Sequence, residues 1–353
     1  MSYRDGWAAI NLEMPRRIPR TEYSADSYHW PLISRVTGMD VTAASPQSER
    51  EAASRAFRAA WNYDFAWSTM VGAGHLGEYA TDMGHAVYAA DGSDQRLQSE
   101  PIFRSPEEVL AFDPLERLPA YDHEALVEQF NRHYRANCER MPDAVNMTGT
   151  YITIVSGLIA LLGWDMLLLT AGTDPQALGR FTNRYAEWIS RFYRALAESD
   201  TPLVMTHDDI VWTSGPFVHP DWYREYVFPH YRRFFEPLKA ADKKIAFTSD
   251  GDYTLFIDDL AAAGVDGFVM EPLTDMALIA ERYGHTHFFI GNADTRILLH
   301  GSKADIRAEV ERCMSIGRDC PGFFMAVGNH IPANTPVENA LYYNECYEAM
   351  MWR

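Results

Sequence analysis

Five short apolar runs in the second half of the chain each end on side chains able to do chemistry. Residues 202–207 (PLVMTH) lead into His207, Asp208 and Asp209, 244–250 (KIAFTSD) end on Asp250, and 267–272 (GFVMEP) carry Glu271. Residues 287–292 (HFFIGN) end on Asn292, and 323–330 (FFMAVGNH) end on Asn329 and His330. Imidazoles and carboxylates in such places can ligate a divalent metal or move protons as general acids and bases. His207 and Asp209 share a face if their strand persists, because side chains alternate along a strand. One of His207, Asp208 and Asp209 is then structural, and Asp209 could cap the next turn. Asp250, before Gly251, reads either as a turn or cap for a helix at 253–264 or as a ligand or acid/base group. His330 precedes a stiff Ile-Pro-Ala-Asn-Thr-Pro loop that would hold it still. Glu271 is a candidate acid or base, Asn292 is placed to orient a substrate, and Asp294 to pair with Arg296 or cap a helix. Tyr151, Trp212, Phe217 and Tyr223 would suit a flat aromatic substrate, or fill a core.

What must position these residues is a repeated unit, since each run is followed by an amphipathic helical pattern. That is the beat of parallel βα units. Three further strand candidates, 18–22 (IPRTE), 65–71 (FAWSTMV) and 144–149 (AVNMTG), bring the count to eight. The expected fold is a single (β/α)8 barrel over 1–353, in which all strand C-termini meet at one mouth. Helix starts are marked by Ser45-Pro46 for 46–63, Ser105-Pro106 for a short helix, Asp174-Pro175 for a helix to about 198, His219-Pro220 for 220–240, and Ser302 for 303–316. Ser105 and Asp174 read as caps. Residues 72–100 alternate short extended pieces with Gly and Asp-Gly turns and read as an inserted β-hairpin. That hairpin, carrying His75 and His85, and the N-terminal segment 1–64 would decorate the mouth.

The 353 residues carry 31 basic and 49 acidic side chains, a net charge of −18, which repels nucleic-acid backbones. Apolar residues make up 47% of the chain, enough for a large core. The four cysteines (Cys138, Cys313, Cys320, Cys346) form no CxxC pair, and the N-terminus has no signal-like apolar core, so a cytoplasmic protein with free thiols is expected. The apolar stretch 151–170 is interrupted by Ser156, Gly157, Gly163 and Asp165 and reads as a buried helix, with no membrane span. GxGxxG, GxxxxGK and serine-hydrolase motifs are absent.

The stretches HDDIVWTSGPFVHPDWYREYVFPHYRRFFEPLK, FTSDGDYTLFIDDLAAAGVDGFVMEP, IGNADTRILLHGS and VGNHIPANTPVEN, with MTGTYITIVSGLIALLGWDMLLL and DPQALGRF upstream, resemble the uroporphyrinogen decarboxylase superfamily. The resemblance covers roughly 140–345 well and the first 140 residues loosely, and it implies the same (β/α)8 barrel. Decarboxylases of the superfamily grip substrate carboxylates with an arginine loop of RQAGR type. Here PRRIPRTEY supplies Arg16, Arg17 and Arg20 without that loop, and a tyrosine that follows the third strand is expected to be lost around Gly157. The other branch holds methyltransferases that work with corrinoid proteins. Its thiol-activating members bind zinc through His-x-Cys-Gly after the fifth strand and a later Cys. Here those places read Thr248-Ser249-Asp250-Gly251 and His330, so a harder ligand set is implied.

The resemblance thus implies a corrinoid-dependent methyltransferase acting as the demethylating component on a methoxylated, aromatic small molecule. Zinc would be held by some of His207, Asp250 and His330, or a protonated carboxyl would act instead, with Asp209, Glu271 and His330 as candidate catalytic groups. Tyr151, Trp212 and Asn292 would contact substrate. A separate corrinoid protein would take the methyl group, since the Asp-x-His-x-x-Gly signature of an in-built corrinoid domain is absent, and a homodimer is common in the family. Two rivals are a metal-free decarboxylase of a small acid, using Arg16, Arg17 and Arg20, and a non-catalytic barrel that binds a tetrapyrrole or corrinoid.

Overall fold

The computed structural model describes residues 1–81 and 101–353. Among the described residues, eight short parallel strands carry the architecture: β1 (Phe65–Ala66), β2 (Val145–Asn146), β3 (Thr148–Thr150), β4 (Leu203–His207), β5 (Lys244–Ser249), β6 (Gly267–Met270), β7 (Phe288–Ala293) and β8 (Phe323–Val327). β3 to β8 form one sheet in sequence order, and β1 pairs with β2. Parallel bridges from Arg20 to Met325 and from Arg20 to Tyr63 join the two ends of this order. The strands are buried on both faces, as parallel strands under helices must be.

The expected first strand is a stitched segment and not a regular strand. Pro19 has no N–H to give a ladder, so the pairing reduces to a few bonds. Met325 N donates to the Pro19 carbonyl at 2.9 Å, Thr21 N to the Met325 carbonyl at 3.2 Å, and Asp64 N to the Arg20 carbonyl at 2.7 Å. The second candidate, 65–71, is regular only at Phe65–Ala66, and the third, 144–149, divides at Met147 between β2 and β3.

The helices follow their predicted caps, with local breaks. Asp174 accepts from Ala177 N at 2.8 Å and starts Pro175–Glu198; Ser302 and Asp305 form a capping box at Lys303–Gly317. The helix expected at 220–240 breaks at Val227 into Pro220–Tyr226 and Phe228–Ala240, where Pro229 begins the second piece. Residues 151–170 form two helices, Val155–Leu162 and Trp164–Thr173, bent by 108° at Gly163. Among the described residues no single helix is long and apolar enough to cross a membrane. The hairpin expected over 72–100 is not what its described part forms: Ala73–Tyr79 is a 3-10 helix, held because Gly72 and His75 bond each other at its start. The rest of that expectation, including His85, lies outside the described residues.

Inside the strands a core of Phe65, Val145, Met147, Leu203, Met205, Phe288, Ile290 and Phe324 is closed from below by Ala9 and Ile10. The first helix, Tyr3–Ile10, therefore sits at the strand starts, where a Cβ on Gly6 would strike the Asp64 carbonyl oxygen at 2.5 Å. It lies at the end opposite the mouth it was expected to decorate.

The arginines expected to grip substrate are instead part of this frame. Arg17 holds Asp64 through two bonds of 2.7 and 2.6 Å. Arg20 is fully buried, paired with Glu22 at 2.9 Å and enclosed by the rings of Trp61, Tyr343 and Tyr347. Only Arg16 is exposed, and its carbonyl bonds Arg353 N, away from the strand ends. Arg20→Ala should cost about 3–5 kcal/mol in urea unfolding, because it strands a buried Glu22 charge. An Arg20→Met, Glu22→Leu double variant should recover part of that loss; equal losses in both would show that the pair itself does not matter.

Candidate active site

The polar residues of the mouth come from the ends of the strands, and local backbone geometry decides which of them reach it. After β4, alternation sends His207 and Asp209 toward the axis and Asp208 outward. Asp208 is fully buried and accepts from Ile154 N at 2.9 Å, Ser156 N at 2.6 Å and the Tyr231 hydroxyl. It anchors the start of the helix Val155–Leu162, and burial pushes its pKa up to about 6 against these bonds. Asp208 is therefore the structural member of the three.

His207 Nδ1 donates to the Tyr151 carbonyl at 2.7 Å, and its ring stacks on the Tyr151 ring with centroids 4.1 Å apart. Its Nε2 faces Asp209 Oδ1 at 3.4 Å. Asp209 Oδ1 also accepts from Asp250 N at 3.0 Å. Glu271 accepts from Gly251 N at 2.7 Å and from Asn329 Nδ2 at 2.6 Å, and the same amide reaches Asp250 Oδ1 at 3.4 Å. Gly251 is required at that turn: its φ is +81°, and a Cβ would meet the Trp212 carbonyl oxygen at 2.4 Å. Three carboxylates from three strand ends thus converge, tied by one asparagine and two backbone N–H groups.

Crowding of this kind makes Asp250 hold its proton. Enclosure by the strand ends, then the charges of Asp209 and Glu271, raise it well above the usual carboxylate range, opposed by Asn329. Its side chain keeps an open side toward the mouth, where water relieves part of the first effect. The like-charge neighbours are thus the firmer cause. Tyr23 stands over the same groups. Burial, with Tyr151, Asp250 and Asp209 beside it, keeps its hydroxyl protonated far above the ordinary range. His330 shares a short hydrogen bond with Ser24 and lies edge-on to Tyr23, and burial lowers its pKa.

These groups line one pocket of about 320 Å³, counting its open side, which takes in Tyr23, Tyr151, His207, Asp250, Asn329 and His330. Of the expected metal ligands, His207, Asp250 and His330 all reach it. His207 is held through Nδ1 by the Tyr151 carbonyl, His330 through Nδ1 by Ser24, and the Asp250 carboxyl by one long contact to Asn329. Among the described residues no three His, Cys, Asp or Glu side chains are grouped to hold a metal ion. As arranged, His207, Asp250 and His330 are not gathered around one point.

Two expected substrate contacts also move. Asn292 is 1% exposed, and its amide is used up on the Glu271 and Thr274 carbonyls at 3.2 and 3.1 Å and on Arg312 at 3.0 Å. It braces the β6 and β7 ends and cannot reach a substrate. Trp212 is 44% exposed on the rim, packed on Trp164 and Phe217, outside the pocket lining. Tyr223 is core, and Asp294 pairs with Arg296 and caps its helix as expected. His75 packs on Phe192 and Tyr121. Tyr151 directly follows β3 and lines the pocket. The side chains not anticipated are Tyr23 and Ser24. Their signal was available, since they follow the 18–22 candidate strand as His207 and Asp209 follow or end theirs.

The shifted Asp250 fixes a sign for stability. Its folded pKa lies above the unfolded value of about 3.9, so the folded state binds the extra proton, and stability falls as pH rises from about 4 through the raised value. Asp250→Asn should therefore melt higher than the wild type at pH 8, by roughly 2 °C for a chain of this size. The advantage should shrink toward pH 4 in a thermal scan, and an advantage independent of pH would place the effect elsewhere.

The family model "Uroporphyrinogen decarboxylase (URO-D)" matches residues 80–349. A uroporphyrinogen decarboxylase from Thermus thermophilus is 30% identical over 163 residues, 46% of this chain and 46% of that protein, so the match spans about half of the relative's length. One from Pseudoalteromonas atlantica is 22% identical over 269 residues, 73% of this chain and 72% of that protein. Among solved structures, a methyltransferase from Methanosarcina mazei superposes with a TM-score of 0.63 over 97% of this chain and 96% of that one. At 16% identity that likeness concerns the fold. With that family model matching residues 80–349, most of the chain, the protein belongs to the uroporphyrinogen decarboxylase (URO-D) family.

Proposed function

We propose that this chain is a methyltransferase that removes a methyl group from a methoxylated aromatic compound and passes it to the cobalt of a partner corrinoid protein. The observation that carries this reading is the convergence of Asp209, Asp250 and Glu271, with Asp250, its pKa raised by enclosure and by these two neighbours, lining the same pocket as Tyr151 and His207. An aryl methyl ether resists displacement because phenoxide is a poor leaving group, and a placed general acid removes that obstacle. The bond between methyl carbon and oxygen breaks with its electron pair on oxygen. The Asp250 proton goes to that oxygen, and the methyl group goes to the acceptor. A reduced cobalt held by the partner would supply the nucleophile. The rings of Tyr23 and Tyr151 offer flat walls for the aromatic ring. Once Asp250 is ionised, Asp209 and Glu271 repel its charge and favour its recharging by water at the open mouth.

A metal-free decarboxylation of a small acid is the second reading, favoured by the likeness in sequence to uroporphyrinogen decarboxylases. The burial of Arg17 and Arg20 removes the carboxylate grip it relied on.

Asp250→Asn should lower kcat by about 10²–10⁴-fold, the usual worth of a general acid, with KM little changed. The assay is demethylation of methoxybenzene derivatives with reduced cobalamin as acceptor. The loss should be smallest for 4-nitrophenyl methyl ether, whose oxygen needs least help. An equal loss across leaving groups would remove Asp250 from the acid role. Carbon dioxide release from a small aromatic acid, without methyl transfer, would favour the second reading.

A further inference from the structure

Behind the mouth, Tyr23 also lines a second cavity of about 410 Å³, counting its open side, between the barrel wall and the helices Gln47–Ala60 and His123–Arg140. Four of its lining residues carry a buried polar atom with no hydrogen-bond partner among the described residues: Tyr63 Oη, Trp67 Nε1, Asn137 Nδ2 and Asn146 Oδ1. Tyr63, Asn137 and Asn146 are each more than nine-tenths buried.

Neighbours fix which end of each amide is unmet. Arg140 Nη2 contacts Asn137 Oδ1 at 2.6 Å, and a guanidinium only donates, so the unpaired end is the amide N–H. Asn146 Nδ2 donates to the Met141 and Ala144 carbonyls at 2.8 and 3.0 Å, so its unpaired end is an acceptor. The indole of Trp67 can only donate. Charge is unbalanced in the same place. Arg58 pairs with Asp26 at 2.5 Å and Glu22 with Arg20 at 2.9 Å, whereas Arg140 makes no ion pair among the described residues. The wall thus presents a spare cation, two obligate donors, a phenol and one obligate acceptor.

We propose that this cavity binds a small hydroxy acid, its carboxylate held by Arg140, Asn137 and Trp67 and its hydroxyl donating to Asn146. The inference is independent of the methyl-transfer reading, because its readout is binding. The competing account is a cluster of buried waters, which would meet the same atoms without selecting an anion.

Isothermal titration of the full chain with glycolate, lactate and 2-hydroxybenzoate tests it, with propionate and inorganic phosphate as controls. At least one hydroxy acid should bind saturably at one per chain, and propionate about tenfold or more weaker than lactate if lactate is the ligand. Arg140→Gln, on the exposed rim, should weaken the hydroxy acid by about tenfold or more while leaving Tm unchanged, and Trp67→Phe, which removes one donor from a ring packed on Tyr23 and Phe65, should weaken it by about tenfold or more. No saturable binding of any hydroxy acid to the wild type overturns the proposal, as does binding that survives both substitutions or a preference for phosphate.

Discussion

The segment around Arg20 is the constraint on which the rest of the molecule depends. It is short, interrupted by Pro19, and paired by single bridges to Met325 on one side and Tyr63 on the other. So few backbone bonds would leave the ends of the strand order poorly joined. Buried charge makes up the difference. Arg17 clamps Asp64, Arg20 clamps Glu22, and Glu22 accepts from Val327 N at 2.8 Å and the Tyr343 hydroxyl at 3.0 Å. Burying such pairs costs heavily in desolvation and is weak as a source of net stability. Its value here is register, because each partner can be met from only one alignment of the segment. That alignment delivers Tyr23 and Ser24 to the mouth, where they hold His330.

The mouth follows a different logic, in which strain is electrostatic. Asp209, Asp250 and Glu271 arrive from consecutive strand ends and share donors that are too few for three full charges. Asn329 and the backbone N–H groups of Asp250 and Gly251 satisfy Asp209 and Glu271, and Asp250 is left with one long contact. The proton therefore collects on Asp250. Pairs of titratable groups whose surroundings push their pKa values apart are how one site keeps an acid at neutral pH. Residues that do not touch the pocket, such as Asn292 and Asp208, keep the strand ends and the helix Val155–Leu162 where this crowding persists.

Family and chemistry separate at this point. Membership rests on sequence over most of the chain, and the methyltransferase from Methanosarcina mazei shares the architecture. One barrel can host several reactions, so function is argued from the site. A mouth with a carboxyl of raised pKa and two tyrosine walls, and with Arg17 and Arg20 buried in the frame, suits protonation of a leaving oxygen better than capture of a substrate carboxylate.

The sequence by itself determined the βα beat, the five chemical strand ends of the second half, most helix caps and the family. These are local signals: period, cap chemistry and the residue that follows an apolar run. It also placed Tyr151, His207, Asp209, Asp250, Glu271 and His330 near one another, because parallel strands must end at one mouth. Only the tertiary structure decided their roles. Whether Asn292 meets substrate depends on Arg312, 20 residues away, and whether Asp208 or Asp209 is structural depends on a helix start 50 residues upstream. Arg17 and Arg20 could be read as a carboxylate grip until Asp64, Glu22 and three distant rings enclosed them. Ionisable side chains take their function from the charges and donors around them, and those neighbours come from remote parts of the chain.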